Sequence, residues 1–435
     1  MAEILPFRAW RYNRELSRNI DELTSPLFDV VSERQRKALY QNPYNSIHLS
    51  VPVQPDPAEH AAALLEQWKD DGSIVQDKLP GIYVYYQYFK LANSPKAYCR
   101  KGFICHIRTY DWSENVILRH ENTIPKAVND RIELLEKTEL QVSATHGLYT
   151  DPDFELEKLM DEAITVPIYE TEDYQGVRDV LAVIHDEKAI RRFMNVIRDK
   201  NIILADGHHR YEGSLIYKHK MLKAHPGATG NEGFNYHLMY LTNTEADDLR
   251  ILPTHRLITG IASFNEETIL QKLEADFIIK PVEDSDTLNE IIAGKPWAFG
   301  LMFRENAYKI RLKPESLHKI TWPFPEEIKK LDLTIMHYFI IEKALGIPGK
   351  DQRQSENIMF DRSFSDCLKK VIKEEAQMAI ITNEVSIDDV KKVCYSGYTM
   401  PQKSTYFYPK VICGFLFSSV KEEEFREPIY SPFVK

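Results

Sequence analysis

The chain is poor in cysteine, and the five it has (Cys99, Cys105, Cys367, Cys394 and Cys413) form no CxxC pair. Thiols so dispersed give zinc no thiolate framework and fit a reducing compartment. No apolar stretch of signal-peptide length opens the chain, which begins MAEILPFRAWRYNREL, and no later run approaches a membrane span. A cytoplasmic location without a membrane partner is therefore expected. Positive charge is not in excess either: the formal net charge is −10. A general nucleic-acid binder carries a basic surface, so no DNA partner is expected. Walker loops, GxGxxG fingerprints and protein-kinase signatures are missing, which argues against a standard nucleotide fold. No Pro/Gly/Ser-rich linker, internal repeat or low-complexity run divides the chain.

What is present reads as globular. Of 435 residues, 43% are hydrophobic and 28% charged, and that length predicts two or three domains with boundaries near 230–260 and 325. Ser32 is placed to cap a helix, and DPAEHAAALLEQWKDDG reads as a second one. NSIHLSVP reads as a short strand ended by Pro52. GIYVYYQYFK and KGFICHIRTY read as the two arms of a β-hairpin. The stretch from Val177 to Leu222 reads strand, helix, strand, turn, helix, an alternation that predicts an α/β fold. LDLTIMHYFIIEKALGI predicts a strongly apolar helix, and AQMAIITN a core strand.

The densest chemistry lies in LADGHHRYEG, residues 204–213. An apolar run ends at Asp206, Gly207 permits a tight turn, and Leu215, Ile216 and Leu222 are expected on one buried helix face. Backbone N–H groups after Gly207 would then stand at a helix N-terminus, where the macrodipole favours an anion. Arg210 adds a planar fork suited to phosphate oxygens, and His208 and His209 can donate to the anion or move a proton. Adjacent histidines diverge, so a zinc site is not expected. An arginine at a helix N-terminus opposes the dipole, so Arg210 is expected to add little to stability without an anion.

Three further clusters mix cations with hydroxyls or carboxylates: Arg119, His120, Glu121 and Thr123, followed by Asp130 and Arg131; Thr254, His255 and Arg256; and Lys403, Ser404, Thr405 and Lys410. Each can hold phosphates and orient a nucleophile, or serve only as an ion pair or turn. One of Arg119, His120 and Glu121 is expected within reach of the DGHHR turn.

The phrases SPLFDVVS, RHENT, DRIELLEKT, ADGHHRYE, LPTHR, LDLTIMHYFIIEKALGI and MPQKSTYFYPK together resemble domain-of-unknown-function family 1015, over nearly the whole chain. Its DGHHR is similar to the phosphate-contacting motif of the ParB/sulfiredoxin superfamily, and an archaeal ADP-dependent free-serine kinase carries a related DGH-x-R turn. The resemblance implies a ParB/sulfiredoxin-like α/β core over 1–240, an inserted α+β segment over 241–325, and a C-terminal α/β segment over 326–435 completing the core. It also implies that Asp206, Gly207, His208, His209 and Arg210 form a phosphate turn, with Asp29 or Glu33 as catalytic base. The family pattern has Pro-Tyr where this chain has Leu27-Phe28, which leaves Asp29 in place. The implied activity is transfer of a phosphoryl group from ADP or ATP with Mg²⁺ to a small hydroxyl metabolite, free serine foremost. A phosphoserine phosphatase using the same site, and a ParB-like nucleotide switch without a metabolite substrate, stay open. The expected partner is a small phosphate-bearing ligand, and a homodimer is compatible with all of these.

Overall fold

In chain order, the strands Ile4–Leu5 (β1), Ile82–Lys90 (β2), Ala97–Arg108 (β3), Ile117–Arg119 (β4), Thr145–Tyr149 (β5), Tyr169–Glu172 (β6), Arg178–Ile184 (β7), Ile202–Asp206 (β8) and Tyr236–Asn243 (β9) build one mixed sheet. Its order is β4-β8-β5-β9-β3-β2-β7-β6, with β1 alongside the end of β3. The β4/β8 and β5/β9 pairs are parallel and the others antiparallel. The expected hairpin is β2 and β3. The computed structural model describes residues 1–91, 95–123, 125–173, 175–401 and 403–425.

The aromatic run of β2 is buried on both faces because successive side chains point to opposite sides of a strand. Ile82, Val84 and Tyr86 enter one core, with Phe193 and Ile197 of the helix Glu187–Arg198. Tyr83 and Tyr85 enter the other, with Leu65 and Trp68 of the helix Pro57–Asp70. A mixed sheet with helices on both faces is an α/β fold, as the strand and helix patterns predict.

Two compact units divide the chain: residues 1–119, 123–249 and 409–435 form the first, and 120–122 with 250–408 the second. The second holds an antiparallel six-stranded sheet: His255–Ile258 (β10), Phe277–Val282 (β11), Ala298–Met302 (β12), Ala307–Leu312 (β13), Ile358–Asp361 (β14) and Met378–Ile381 (β15), ordered β11-β13-β12-β15-β10-β14. Pro281, which cannot donate to a ladder, lies in the edge strand β11.

Two local expectations are corrected. NSIHLSVP is not a strand: Ile47–Ser50 is a helical turn, because the buried Asn45 carboxamide accepts from the Ile47 N–H and donates to the Glu22 and Thr24 carbonyls. Ile216 is 40% exposed, whereas Tyr211, Ser214 and Leu215 make the buried face of its helix. The apolar run LDLTIMHYFIIEKALGI is helical, but it widens into a π-helix over Met336–Ala344.

Candidate functional site

β8 is buried up to Ala205 and ends at Asp206, where its pairing with β5 slips out of register. Such irregularities re-aim the strand end. Gly207 follows with φ +90°, and a Cβ there would stand 2.5 Å from Thr145 Cγ2 and 2.9 Å from an Arg210 amine. Both conformation and space therefore demand glycine. The helix His208–Ala224 begins at once, without a side-chain cap. The buried strand, Gly turn and helix start match the reading of the sequence.

The Asp206 carboxylate lies between two cations. Arg210 donates to Oδ2 at 2.9 Å and Lys410 to Oδ1. The side chains of Asp206, Arg210 and Lys410 are 14%, 9% and 12% exposed. Burial alone would raise the Asp206 pKa, but the Lys410 and then the Arg210 charge outweigh it and hold the group well below the usual carboxylate range. Arg210 also donates to Ser143 Oγ at 3.0 Å and the Ala144 carbonyl at 2.7 Å. The anion without which Arg210 was expected to add little is supplied by the chain itself, as Asp206. The Lys410 segment is held in turn by Arg100, which donates to the Pro409 carbonyl, and by Gln87, which donates to the Lys410 carbonyl at 3.0 Å.

A cavity of about 50 Å³ opens beside this pair within the first unit, lined in part by Phe28, Ser50, Arg131, Ser143, Arg210 and His237. Arg131 comes from the helix Pro125–Thr138, stacks on Phe28 at 4.5 Å and donates to the Ser50 carbonyl at 2.8 Å. Its pKa is pulled down by burial and by the Arg210 charge, against support from Asp130 and Asp29. The Nε atoms of both Arg131 and Arg210, and the Ser50 hydroxyl, are buried without a hydrogen-bond partner among the described residues. Ser214, also on the lining, bonds His237 Nδ1 at 2.7 Å, and His237 Nε2 meets Thr145 Oγ1 at 3.0 Å. Burial, then the Arg210 charge, pushes the His237 pKa down to about 3, so the ring is neutral.

The residues singled out in the sequence divide between the units. Phe28, Asp29, Arg131 and Arg210 come together in the first. Asp29 is exposed and acts on the Arg131 charge. Glu33 is exposed and pairs with Lys37 at 3.0 Å, one helical turn on. His208 is buried and His209 half-buried at the helix start. Arg119 pairs in the sheet with Leu204, but its guanidinium goes to the Trp112 ring at 4.7 Å and towards Glu212 at 3.9 Å.

The other clusters meet each other in the second unit. His120 Nε2 bonds Thr405 Oγ1 at 2.7 Å, and Glu121 accepts from the Ser404 N–H at 3.1 Å. Arg256 donates to the Thr254 carbonyl, His255 Nδ1 accepts from the Thr382 N–H at 3.3 Å, and Lys403 stands 5.7 Å over Phe360. Ser143, Ser214 and His237 carried no sequence motif. The one hint was a histidine inside the apolar run YHLMYLTN. Among the described residues, Asp151, Asp153 and Glu155 are the acids that approach one another closely enough to share a cation, with Lys200 3.7 Å from Asp151.

The family model described as "Protein of unknown function (DUF1015)" matches residues 4–334. No curated protein matches the chain. Similar solved structures include a conserved hypothetical protein from Pyrococcus furiosus, 12% identical, covering 73% of this chain and 96% of that one with a TM-score of 0.37. A free serine kinase in complex with AMP is 14% identical, covering 74% and 93%, also at 0.37. C-terminally truncated SbnI from Staphylococcus aureus is 13% identical, covering 72% and 85%, at 0.34. Likeness at these scores carries no argument about chemistry. No helix among the described residues is long and apolar enough to cross a membrane.

Proposed function

This chain belongs to the DUF1015 family, and we propose that it is a phosphotransferase that holds the anionic end of a small metabolite between Arg131 and Arg210. One observation carries the reading: two largely buried guanidinium groups line one cavity, each with its Nε–H unanswered. Buried donors are nearly always satisfied, and an orphaned donor on a buried cation is costly. A phosphate or carboxylate is the group whose oxygens two such guanidinium forks would hold. Among the described residues Arg131 has no acidic side chain within ion-pair distance, whereas Arg210 is already anchored to Asp206. Arg131 is accordingly the cation with charge to spare.

The cavity accommodates a group of phosphate size, not a whole nucleotide. The donor's phosphates would approach along the uncapped start of the helix His208–Ala224, where the dipole favours negative charge. The acceptor is a small hydroxyl compound, free serine being our preferred candidate, with Asp29, whose charge reaches Arg131, as the group to take its proton. No carboxylate among the described residues lines the cavity, so its lining does not make a Mg²⁺ site, and any magnesium would arrive on the nucleotide's own phosphates. The test is ³¹P NMR of the chain with MgADP or MgATP and each hydroxyl amino acid. The reading expects transfer to serine that Arg131→Gln slows. Absence of transfer from either nucleotide to any of the hydroxyl amino acids would overturn it.

A further inference from the structure

The second unit contains a partly open cavity of about 190 Å³ whose walls include Trp322, Phe324, Thr334, His337 and Phe360. An engineered apolar cavity of about 150 Å³ holds benzene. Trp322 and Phe324 meet edge to face at 5.7 Å, and His337 comes from the π-helix, an irregularity frequent at functional sites.

Polar atoms around it are arranged rather than incidental. Arg256 is fully buried and touches two of the walls, with an amine 3.4 Å from His337 Nε2 and its guanidinium 5.4 Å from the centre of the Phe360 ring. Arginine only donates, so His337 Nε2 accepts and Nδ1–H donates to Gln352 at 2.7 Å. The Gln352 amide returns to the His337 and Ile347 carbonyls. With both nitrogens engaged, His337 offers the cavity an aromatic surface. Thr334, 3% exposed, and the Asn122–Thr399 pair at 2.8 Å supply hydroxyl and amide groups on the same lining.

Segments that carry two of the sequence clusters border this cavity. The Met400 N–H donates to the His120 carbonyl at 2.6 Å, and Asn122, Met400 and Pro401 are walls of the cavity. Two cations, Arg256 and Lys403, stand over Phe360, and a third, Arg353, is on the lining itself, which disfavours a positively charged occupant.

We propose that this cavity is a binding site for a planar heteroaromatic molecule of one or two fused rings, purine or indole in size, that carries no positive charge. Stacking and edge contacts from Trp322, Phe324 and Phe360 would hold the rings. Thr334 and Asn122 would read the ring heteroatoms, the pattern of few polar groups in an apolar pocket. The site stands independently of the phosphate chemistry proposed for the first unit.

Calorimetric titration of the full chain with adenine, indole and cyclohexanol tests this. Adenine or indole should bind saturably and at least about tenfold more tightly than cyclohexanol, and Val393→Phe, which fills the cavity from its lining, should weaken that binding about tenfold or more. Trp322→Phe provides the second reading, should the filled variant not fold. It should retain ring binding while abolishing the change in tryptophan emission that adenine produces. The proposal is overturned if neither ring binds saturably, if cyclohexanol binds as well, if a folded Val393→Phe binds undiminished, or if the emission change survives in Trp322→Phe.

Discussion

Lys410 and Asp206, 204 positions apart in sequence, form an ion pair at the mouth of the glycine turn, and Arg210 holds the second oxygen of the same carboxylate. The C-terminal segment of the first unit is thereby fastened to the DGHHR motif, with Gln87 and Arg100 holding its backbone. An acid shared by two cations in a site with little water stabilises both, and its removal exposes them to each other.

Asp206→Asn should therefore be strongly destabilising. Removing one partner of a buried pair costs about 3–5 kcal/mol, and here two cations are left behind. Lys410→Met should cost less, since Arg210 still answers Asp206. The pH dependence follows from the lowered pKa of Asp206. Its stabilising effect is present above the unfolded carboxylate pKa, about 3.9, and is lost as pH falls through the folded value. Urea unfolding should show a gap between wild type and Asp206→Asn that is constant near neutrality and closes in acid. A gap that persists at low pH would count against the ion pair.

Asp179 should behave in the opposite sense. Buried in β7, it is pushed up to about 7 by burial, against hydrogen bonds from Tyr85 and Gln87. A folded pKa above the unfolded one gives stability that is fully present below about pH 4 and is lost as pH rises towards 7, at about 1.4 kcal/mol per unit. Asp179→Asn keeps the acceptor oxygen and removes the titration. Its stability should vary less between pH 4 and 7 than that of wild type, and an unchanged slope would contradict the assignment.

Gly207 and Gly72 separate conformation from crowding. Both have positive φ, +90° and +75°, but a Cβ at Gly72 meets nothing within 4 Å. Gly72→Ala should cost about 1–2 kcal/mol, the price of a left-handed residue. Gly207→Ala should cost clearly more, because Thr145 and Arg210 must also move. Equal losses in melting temperature would mean that the close approach at Gly207 relaxes freely.

Much of this was legible in the sequence because it is local. Strand, glycine and helix follow one another within LADGHHRYEG, and their order follows from apolar periodicity and one residue that tolerates positive φ. The partners of Arg210 were not legible. Ser143 and Ala144 lie on a different segment, and only the sheet order, with β5 beside β8, brings them under the turn. The same applies to His120 and Glu121, which lie next to Arg119 in sequence but bond to Thr405 and Ser404 in the second unit. Asn45 defeated the strand reading of NSIHLSVP, because a buried side chain making backbone hydrogen bonds outweighs β propensity there.

The role of Arg131 is tested most directly by calorimetric titration with inorganic phosphate and O-phosphoserine, comparing wild type with Arg131→Gln. The account predicts saturable binding to wild type and a loss of about 1.5–3 kcal/mol in the variant, tenfold or more in affinity. Ligand-free Arg131→Gln should melt close to wild type, because relief of a buried cation with an unanswered donor offsets the lost contacts to the Ser50 carbonyl and the Phe28 ring. Equal affinity in the two proteins, or a ligand-free variant that melts far below wild type, would contradict the account and make Arg131 a structural residue.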